Sequence, residues 1–128
     1  MKLLIIDDDF SEYHKIKEKI ELEGIQCTHI STPLLAVEYL KSEEYDLCFL
    51  DFNLAVVNAE KIIGWLKEIR PSLNTDVYVV SNGDIDDIRN RLSKFNSWYK
   101  GCFSKKELYK ILNTILHKYL HESKLKGE

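Results

Sequence analysis

The feature of this chain that most constrains its fold is a set of short, uninterrupted apolar runs at 3–6, 47–50 and 77–80. None of them alternates apolar and polar residues, so a strand formed there must be covered on both faces, as in a parallel sheet between helices. Two β-rich segments elsewhere complete a set of five predicted strands. The predicted strands are 2–6, 25–30, 46–50, 76–80 and about 98–103.

Amphipathic helical patterns separate these strands. The predicted helices cover 11–23, a segment opened by Thr32 and Pro33, 58–70, 84–94, and a last segment through Leu108 to Tyr119. Asp9 and Glu12 are spaced as a capping box for the first helix, and Gly24 stands just past its end. Strict alternation with short links predicts an α/β fold, a doubly wound five-stranded parallel sheet in a (βα)5 three-layer sandwich. We expect one domain over 1–122 and a short polar tail at 123–128.

Charge and composition argue against several classes of function. Eighteen Lys and Arg against 21 Asp and Glu give a formal net charge of -3, which supplies no broad attraction to nucleic acid or to anionic lipid. The N-terminal apolar run is followed at once by Asp7 and Asp8 and is too short for a signal peptide or a membrane span. The three cysteines lie in apolar strand-like segments, and their odd number argues against a disulfide framework. These features predict a cytoplasmic protein with buried free thiols.

Polar residues follow four of the five predicted strands. They are Asp7 and Asp8 after the first strand, Asp51 and Asn53 after the third, Ser81 after the fourth and Lys105 after the fifth. Ligands of open α/β sheets bind at the carboxyl ends of the strands, so we expect these side chains to converge.

Carboxylates held close together need a cation, and Mg²⁺ fits best because it prefers hard oxygen ligands, water and phosphate oxygen. Asp7, Asp8 and Asp51 are the candidate carboxylate ligands, with the main-chain carbonyl of Asn53 as a further one. Lys105 offers a mobile positive charge, and Ser81 offers a hydroxyl for a phosphoryl oxygen. Together these residues predict a site that accepts a phosphoryl group.

Most of these strand-end residues lie in four segments that form a recognisable pattern. They are LIIDDD at 4–9, DLCFLD at 46–51, VVS at 79–81 and GCFSK at 101–105. In order and spacing they resemble the receiver domain of bacterial two-component response regulators, particularly the single-domain, chemotaxis-regulator-like members. The resemblance extends from Leu3 to about Tyr119 and implies a flavodoxin-like sandwich.

The resemblance also implies a function. Asp51 would take a phosphoryl group from a sensor histidine kinase or a phosphotransfer protein, with Mg²⁺ held by Asp7, Asp8, Asp51 and the Asn53 carbonyl. Ser81 and Lys105 would contact the phosphoryl group. The acyl phosphate would then bias the face formed by the fourth helix, the fifth strand and the fifth helix toward a downstream protein. Such a chain is a regulator that catalyses only its own phosphotransfer and dephosphorylation, and it contacts neither nucleic acid nor membrane directly.

Several residues depart from the family pattern. Ala55 and Ala59 replace its usual Pro and Gly, Asn82 replaces a small residue, and Cys102 occupies the position of the switch aromatic. A pseudo-receiver that switches without phosphate is therefore the alternative function. Lys100 is the competing choice for the conserved lysine.

The sequence also leaves open a phosphatase activity, a metal site on the last helix and a homodimer. Asp7-Asp8-Asp9 formally contains the Asp-x-Asp motif of a haloacid-dehalogenase-type phosphatase, although the further motifs of that class are missing. His117 and His121 stand four residues apart on the last helix, where a solvated role is favoured over metal binding. The homodimer would form through the same helix.

Overall fold

The computed structural model describes residues 1–8, 14–53, 59–69, 74–95 and 99–125. Its strands are β1 (Lys2–Ile6), β2 (Gln26–Ile30), β3 (Leu47–Asp51), β4 (Asp76–Ser81) and β5 (Gly101–Ser104). Its α-helices are α1 (His14–Leu22), α2 (Pro33–Ser42), α3 (Ala59–Ile69), α4 (Ile85–Arg91) and α5 (Leu108–Leu125). Short 3₁₀ turns cover Ser93–Phe95 and Lys105–Glu107. The strands form one parallel sheet in the order β2-β1-β3-β4-β5, which confirms the predicted architecture.

The differences from the predicted boundaries are small, and two of them bear on the site. Asp51 and Ser81 are the last residues of β3 and β4 rather than the first residues of loops, so the sheet itself fixes their backbones. β5 begins at Gly101, opposite Tyr78 of β4, and the predicted start near 98 lies outside the described residues. The predicted capping box of Asp9 and Glu12 lies outside the described residues.

The predicted C-terminal ends of the last two helices differ from those in the structure. α4 stops at Arg91 and gives way to a 3₁₀ turn, so the prediction of a helix to 94 is wrong in its last turn. α5 continues to Leu125, which makes residues 123–125 helical although they were expected to belong to the tail. The predicted helix limits at 11, 58 and 70 lie outside the described residues.

Two apolar cores lie on opposite faces of the sheet, as parallel strands covered on both sides require. Alternate residues of β1 divide between them, with Leu4 and Ile6 in one core and Leu3 and Ile5 in the other. The first core is closed by α2, α3 and α4, and the second by α1 and α5. The central strands are therefore held rigidly, and so are the polar residues at their carboxyl ends.

Local signals account for how several elements start and stop. Gly24 has a φ of 84°, the left-handed conformation that ends a helix and favours glycine, and it follows α1 as predicted. Asp84 caps α4 by accepting hydrogen bonds from the main-chain N–H groups of Asp86 and Asp87 at 3.0 and 3.3 Å. At Gly101 an added Cβ would lie 2.9 Å from the Phe103 ring, so a larger residue would displace that ring. Among the described helices, none combines the length and the apolar character needed to cross a bilayer.

Candidate functional site

The candidate site lies at the carboxyl edge of the two central strands, β1 and β3. The chain leaves β1 for β2 on one side and leaves β3 for β4 on the other, so strand order reverses between them. The connecting segments diverge there and leave a crevice, which is where open α/β sheets bind their ligands. The site predicted from the sequence lies in this crevice.

Three carboxylates meet in the crevice. Asp7 follows β1 directly and is fully buried, Asp51 ends β3 and is also buried, and Asp8 is exposed. One oxygen from each of the three side chains lies within 4.8 Å of the others. The structure thus brings together the three carboxylates that the sequence predicts as metal ligands, two inside the protein and one at its surface.

Lys105 connects the two buried carboxylates. Its Nζ lies 2.9 Å from Asp7 Oδ2 and 3.2 Å from Asp51 Oδ2, and its side chain is only 7% exposed. Burial opposes protonation of this amine, but the hydrogen bond and charge of Asp7 and the charge of Asp51 outweigh it and raise the pKa of Lys105. Lys105 therefore stays an ammonium and offsets part of the negative charge in the crevice.

The alternative lysine from the sequence, Lys100, lies elsewhere. Its Nζ is 4.0 Å from an oxygen of Asp76, at the start of β4, the end of the sheet opposite the carboxylates. The structure therefore decides between the two lysines in favour of Lys105 as the cation of this crevice.

Asp51 is an unusual carboxylate. Burial and the neighbouring charge of Asp7 raise its pKa from 3.8 to about 6, against the opposing effects of Lys105 and of the main-chain N–H of Asn53. That N–H donates to Asp51 Oδ1 at 3.1 Å, while Lys105 contacts Oδ2. Both oxygens are held, so the plane of the carboxylate is fixed. A second positive charge in the crevice would favour the ionised form.

Ser81 ends β4 beside this pair of strands and is completely buried. Its Oγ accepts a hydrogen bond from the side-chain amide of Asn53 at 3.0 Å and another from the main-chain N–H of Gly83 at 2.9 Å. The hydroxyl proton of Ser81 is not used in either bond and can be donated to an acceptor. Asn53 thus contacts Asp51 through its backbone and Ser81 through its side chain.

One residue in contact with the site was not singled out from the sequence. His29, on β2, places Nε2 2.6 Å from the main-chain oxygen of Asp7. The second strand was the one strand without a candidate in the sequence analysis. A polar residue one position before the end of a strand is a weak signal, and only the register of β2 against β1 gives it meaning.

The remaining residues that the sequence pointed to are exposed or lie outside the described residues. His117 and His121 are exposed on α5, consistent with the solvated role favoured for them. Asn82 is exposed as well. Ala55 lies outside the described residues, as does the side-chain environment of Ala59.

All three cysteines are free thiols, as predicted, but only two of them, Cys48 and Cys102, are buried, and Cys27 is partly exposed. Burial raises the pKa of each of the three, which keeps the thiols protonated and unreactive.

The position expected to hold the switch aromatic faces the core closed by α2, α3 and α4. Cys102 is buried there, and its main-chain oxygen accepts a hydrogen bond from Arg89 of α4 at 3.1 Å. The adjacent Phe103 faces the opposite core and stacks on Tyr78, with ring centroids 5.6 Å apart. An aromatic side chain at position 102 is thus replaced by a small thiol, and the contact between α4 and β5 is made by an arginine.

The donor set fits a hard divalent cation. Two buried carboxylates and one exposed carboxylate provide oxygen ligands, and the exposed one opens toward solvent, from which water can complete an octahedral shell. Among the described residues the group contains no thiol or imidazole that would favour zinc. Asp7, Asp8 and Asp51 therefore could hold Mg²⁺.

Solved structures of receiver domains, which share this doubly wound parallel sheet, superimpose on this chain. The signal receiver domain of a protein described as a LuxO repressor from Vibrio parahaemolyticus has a TM-score of 0.77 at 20% identity, covering 98% of this chain and 94% of that one. Response regulator protein TrrA from Thermotoga maritima, solved in complex with Mg²⁺ and BeF, has a TM-score of 0.73 at 18% identity, covering 91% and 96%. At these identities the likeness establishes the fold alone.

Family membership follows from the sequence itself. The response regulator receiver domain family matches residues 3–116, which is most of the chain. No curated protein is similar enough to the chain to count as a match. The chain belongs to the response regulator receiver domain family, whose members are signalling regulators of two-component systems.

Proposed function

We propose that this receiver domain is a phosphoacceptor that takes a phosphoryl group on Asp51 with the help of Mg²⁺. The observation that supports it best is the arrangement around Lys105, whose ammonium touches both buried carboxylates in a crevice where a third carboxylate oxygen lies within 4.8 Å of the other two. A regulator that had lost phosphate chemistry would have no need to keep two buried acids and a lysine with a largely covered side chain, which are costly to desolvate. The pseudo-receiver alternative has no comparable observation in its favour.

In the proposed reaction, a carboxylate oxygen of Asp51 attacks the phosphorus of a phosphohistidine on a histidine kinase or a phosphotransfer protein. The new bond joins that oxygen to phosphorus, the phosphorus–nitrogen bond breaks, and the electron pair leaves with the imidazole of the donor. Water later hydrolyses the acyl phosphate. Asp7, Asp8, Asp51 and the Asn53 carbonyl would hold Mg²⁺, which would supply positive charge that compensates these carboxylates and the phosphoryl oxygens.

The residues of the protein orient the Asp51 carboxylate and compensate the negative charge of the phosphoryl group. The N–H of Asn53 and the ammonium of Lys105 hold the Asp51 carboxylate in one plane before the reaction. Lys105 can then follow the new negative charge onto the phosphoryl group, and Ser81 can donate its hydroxyl proton to a phosphoryl oxygen. The shift of Lys105 would pull on the end of β5, and the new hydrogen bond of Ser81 would pull on the end of β4.

The downstream effect would pass through the surface formed by α4, β5 and α5. Arg89 already ties α4 to β5 through the carbonyl of Cys102, so a shift of β5 would reach α4 directly. We propose that a partner protein reads this surface. A cytoplasmic location is part of the same proposal, since the three free thiols suit a reducing compartment.

Intact-mass spectrometry after incubation with a small-molecule phosphodonor tests the proposal. Wild-type protein with Mg²⁺ is expected to gain one phosphoryl group, and the gain should vanish in Asp51→Asn and in buffer with a chelator. Asp46→Asn, which neutralises an exposed acid just before the first residue of the same strand, is the matched control and should still be phosphorylated. A folded wild-type protein that gains no phosphoryl group and binds no Mg²⁺ would instead support the pseudo-receiver.

A further inference from the structure

His29 lies on the edge strand β2 and approaches the acidic end of β1. The parallel register places His29 opposite Ile5, two residues before Asp7 and on the same face of the sheet. A step of two residues along a strand is about 6.6 Å, and the imidazole leans along the strand to cover it. Its Nε2 reaches the main-chain oxygen of Asp7 at 2.6 Å.

The direction of this hydrogen bond is set by chemistry. A carbonyl oxygen can only accept, so Nε2 of His29 must hold the proton and donate it. Asp7, which directly follows β1, is also bound through its N–H, which donates to the carbonyl of Ile30 at 3.1 Å. Two hydrogen bonds from β2, one on each side of the Asp7 α-carbon, therefore fix the backbone at the point where β1 ends.

The carbonyl that His29 holds belongs to the peptide between Asp7 and Asp8. Its orientation sets the last dihedral of Asp7 and the first of Asp8, and so the direction of the two side chains relative to each other. Asp7 points into the protein and Asp8 lies at the surface, yet an oxygen of each lies within 4.8 Å of the other and of Asp51. The three oxygens can lie this close only when the peptide between Asp7 and Asp8 has a defined orientation.

We propose that His29 is a positioning residue that holds the Asp7–Asp8 peptide in the orientation that aims both carboxylates at one cation. This inference rests on the proposed Mg²⁺ site and names a residue that supports the ligands without touching the metal. Removal of a group that holds a metal-ligand residue in position typically changes metal affinity by about 10- to 100-fold. Because His29 acts on the backbone rather than on a ligand atom, we expect the low end, about tenfold.

Isothermal titration of the full chain with Mg²⁺ tests this role in four proteins. His29→Phe keeps a ring of similar shape without a donor, and His29→Gln keeps an N–H donor at nearly the same distance from the backbone as Nε2. Cys27→Ala is the matched control, since Cys27 lies on the same strand and face, packs against the core closed by α1 and α5, and would lower stability without touching Asp7. Wild type, Cys27→Ala and His29→Gln should bind Mg²⁺ with similar affinity, and His29→Phe about tenfold more weakly.

A second readout needs no metal. The carbonyl ¹³C resonance of Asp7 in the metal-free protein should move upfield in His29→Phe, as expected when a carbonyl loses a hydrogen bond, and stay near its wild-type position in His29→Gln. Equal Mg²⁺ affinity in wild type and His29→Phe would overturn the role of His29 and leave the proposed function standing. So would an equal loss in Cys27→Ala, which would point to weakening of the whole strand. A wild-type protein that binds no Mg²⁺ would overturn the metal site, and the role of His29 with it.

Discussion

Replacing Asp51 with asparagine should stabilise the metal-free protein near neutral pH. Burial and the charge of Asp7 raise the pKa of Asp51 from 3.8 to about 6, so ionising this group costs the folded state more than the unfolded state. Each pH unit between the two values corresponds to about 1.4 kcal/mol, which gives about 3 kcal/mol in total, or about 2 to 3 after allowance for solvent at the open edge of the crevice. Asparagine has a similar shape and no charge to desolvate.

The direction of the pKa shift determines how the stability gain of Asp51→Asn should change with pH. Because the folded pKa of Asp51 is raised, the stability linked to its protonated form is fully present below 3.8 and is lost as the pH rises through about 6. Asparagine does not undergo this loss. The stability gain of Asp51→Asn should therefore be near zero at the acid end, grow between these two values, and be complete by about pH 8.

Urea unfolding in a chelator-containing buffer, followed across this pH range, measures the effect. Glu38→Gln, which neutralises an exposed acid on α2, is the control for net charge and should change the free energy of unfolding by less than about 0.5 kcal/mol. Mg²⁺ should stabilise wild type more than Asp51→Asn and so narrow the gap. An Asp51→Asn protein that is no more stable than wild type at about pH 8, or whose advantage does not shrink with acid, would contradict the raised pKa of Asp51.

Three further predictions concern stability. Lys105→Met leaves two buried carboxylates without their cation and should lower the free energy of unfolding at about pH 8 by about 3 kcal/mol. Part of this loss should be recovered when Asp51→Asn is added. Additive effects of the two changes would argue against the contact between Lys105 and Asp51. Gly24→Ala should cost about 1 kcal/mol through the positive φ alone, since no atom of the described part of the chain lies within 4 Å of the added Cβ, and phosphorylation should not change. Tyr119→Phe removes the hydroxyl that donates to Asp76 and should cost about 1 to 2 kcal/mol in thermal or urea unfolding, whereas an unchanged midpoint would show that water replaces the bond.

Much of the fold is predictable because its signals are local. An uninterrupted apolar run such as 47–50 has few ways to satisfy its backbone and side chains other than as a covered strand, and the structure confirms β3 there. Gly24 marks the end of α1 for a reason of backbone sterics that holds in any fold. Boundaries that depend on pairing are less predictable, as at β5, which pairs with β4 from Gly101 onward.

The candidate site was predictable as a set of residues but not as a geometry. The rule that ligands bind at the carboxyl ends of parallel strands was enough to gather Asp7, Asp51, Ser81 and Lys105. It could not say that Asp7 is buried while Asp8 is exposed, since both follow the same strand. It also could not find His29, whose contact depends on the register of a neighbouring strand.

The class of fold, the strand ends that hold the chemistry and the residue types gathered there can all be read from the sequence, because periodicity and apolar continuity are properties of neighbours along the chain. The choice of Lys105 over Lys100, the raised pKa of Asp51 and the contact of His29 with Asp7 were decided only by the tertiary structure. Each of these depends on distances between residues far apart in the chain and on how deeply they are buried. Such quantities arise only when strand register and side-chain packing place those residues together.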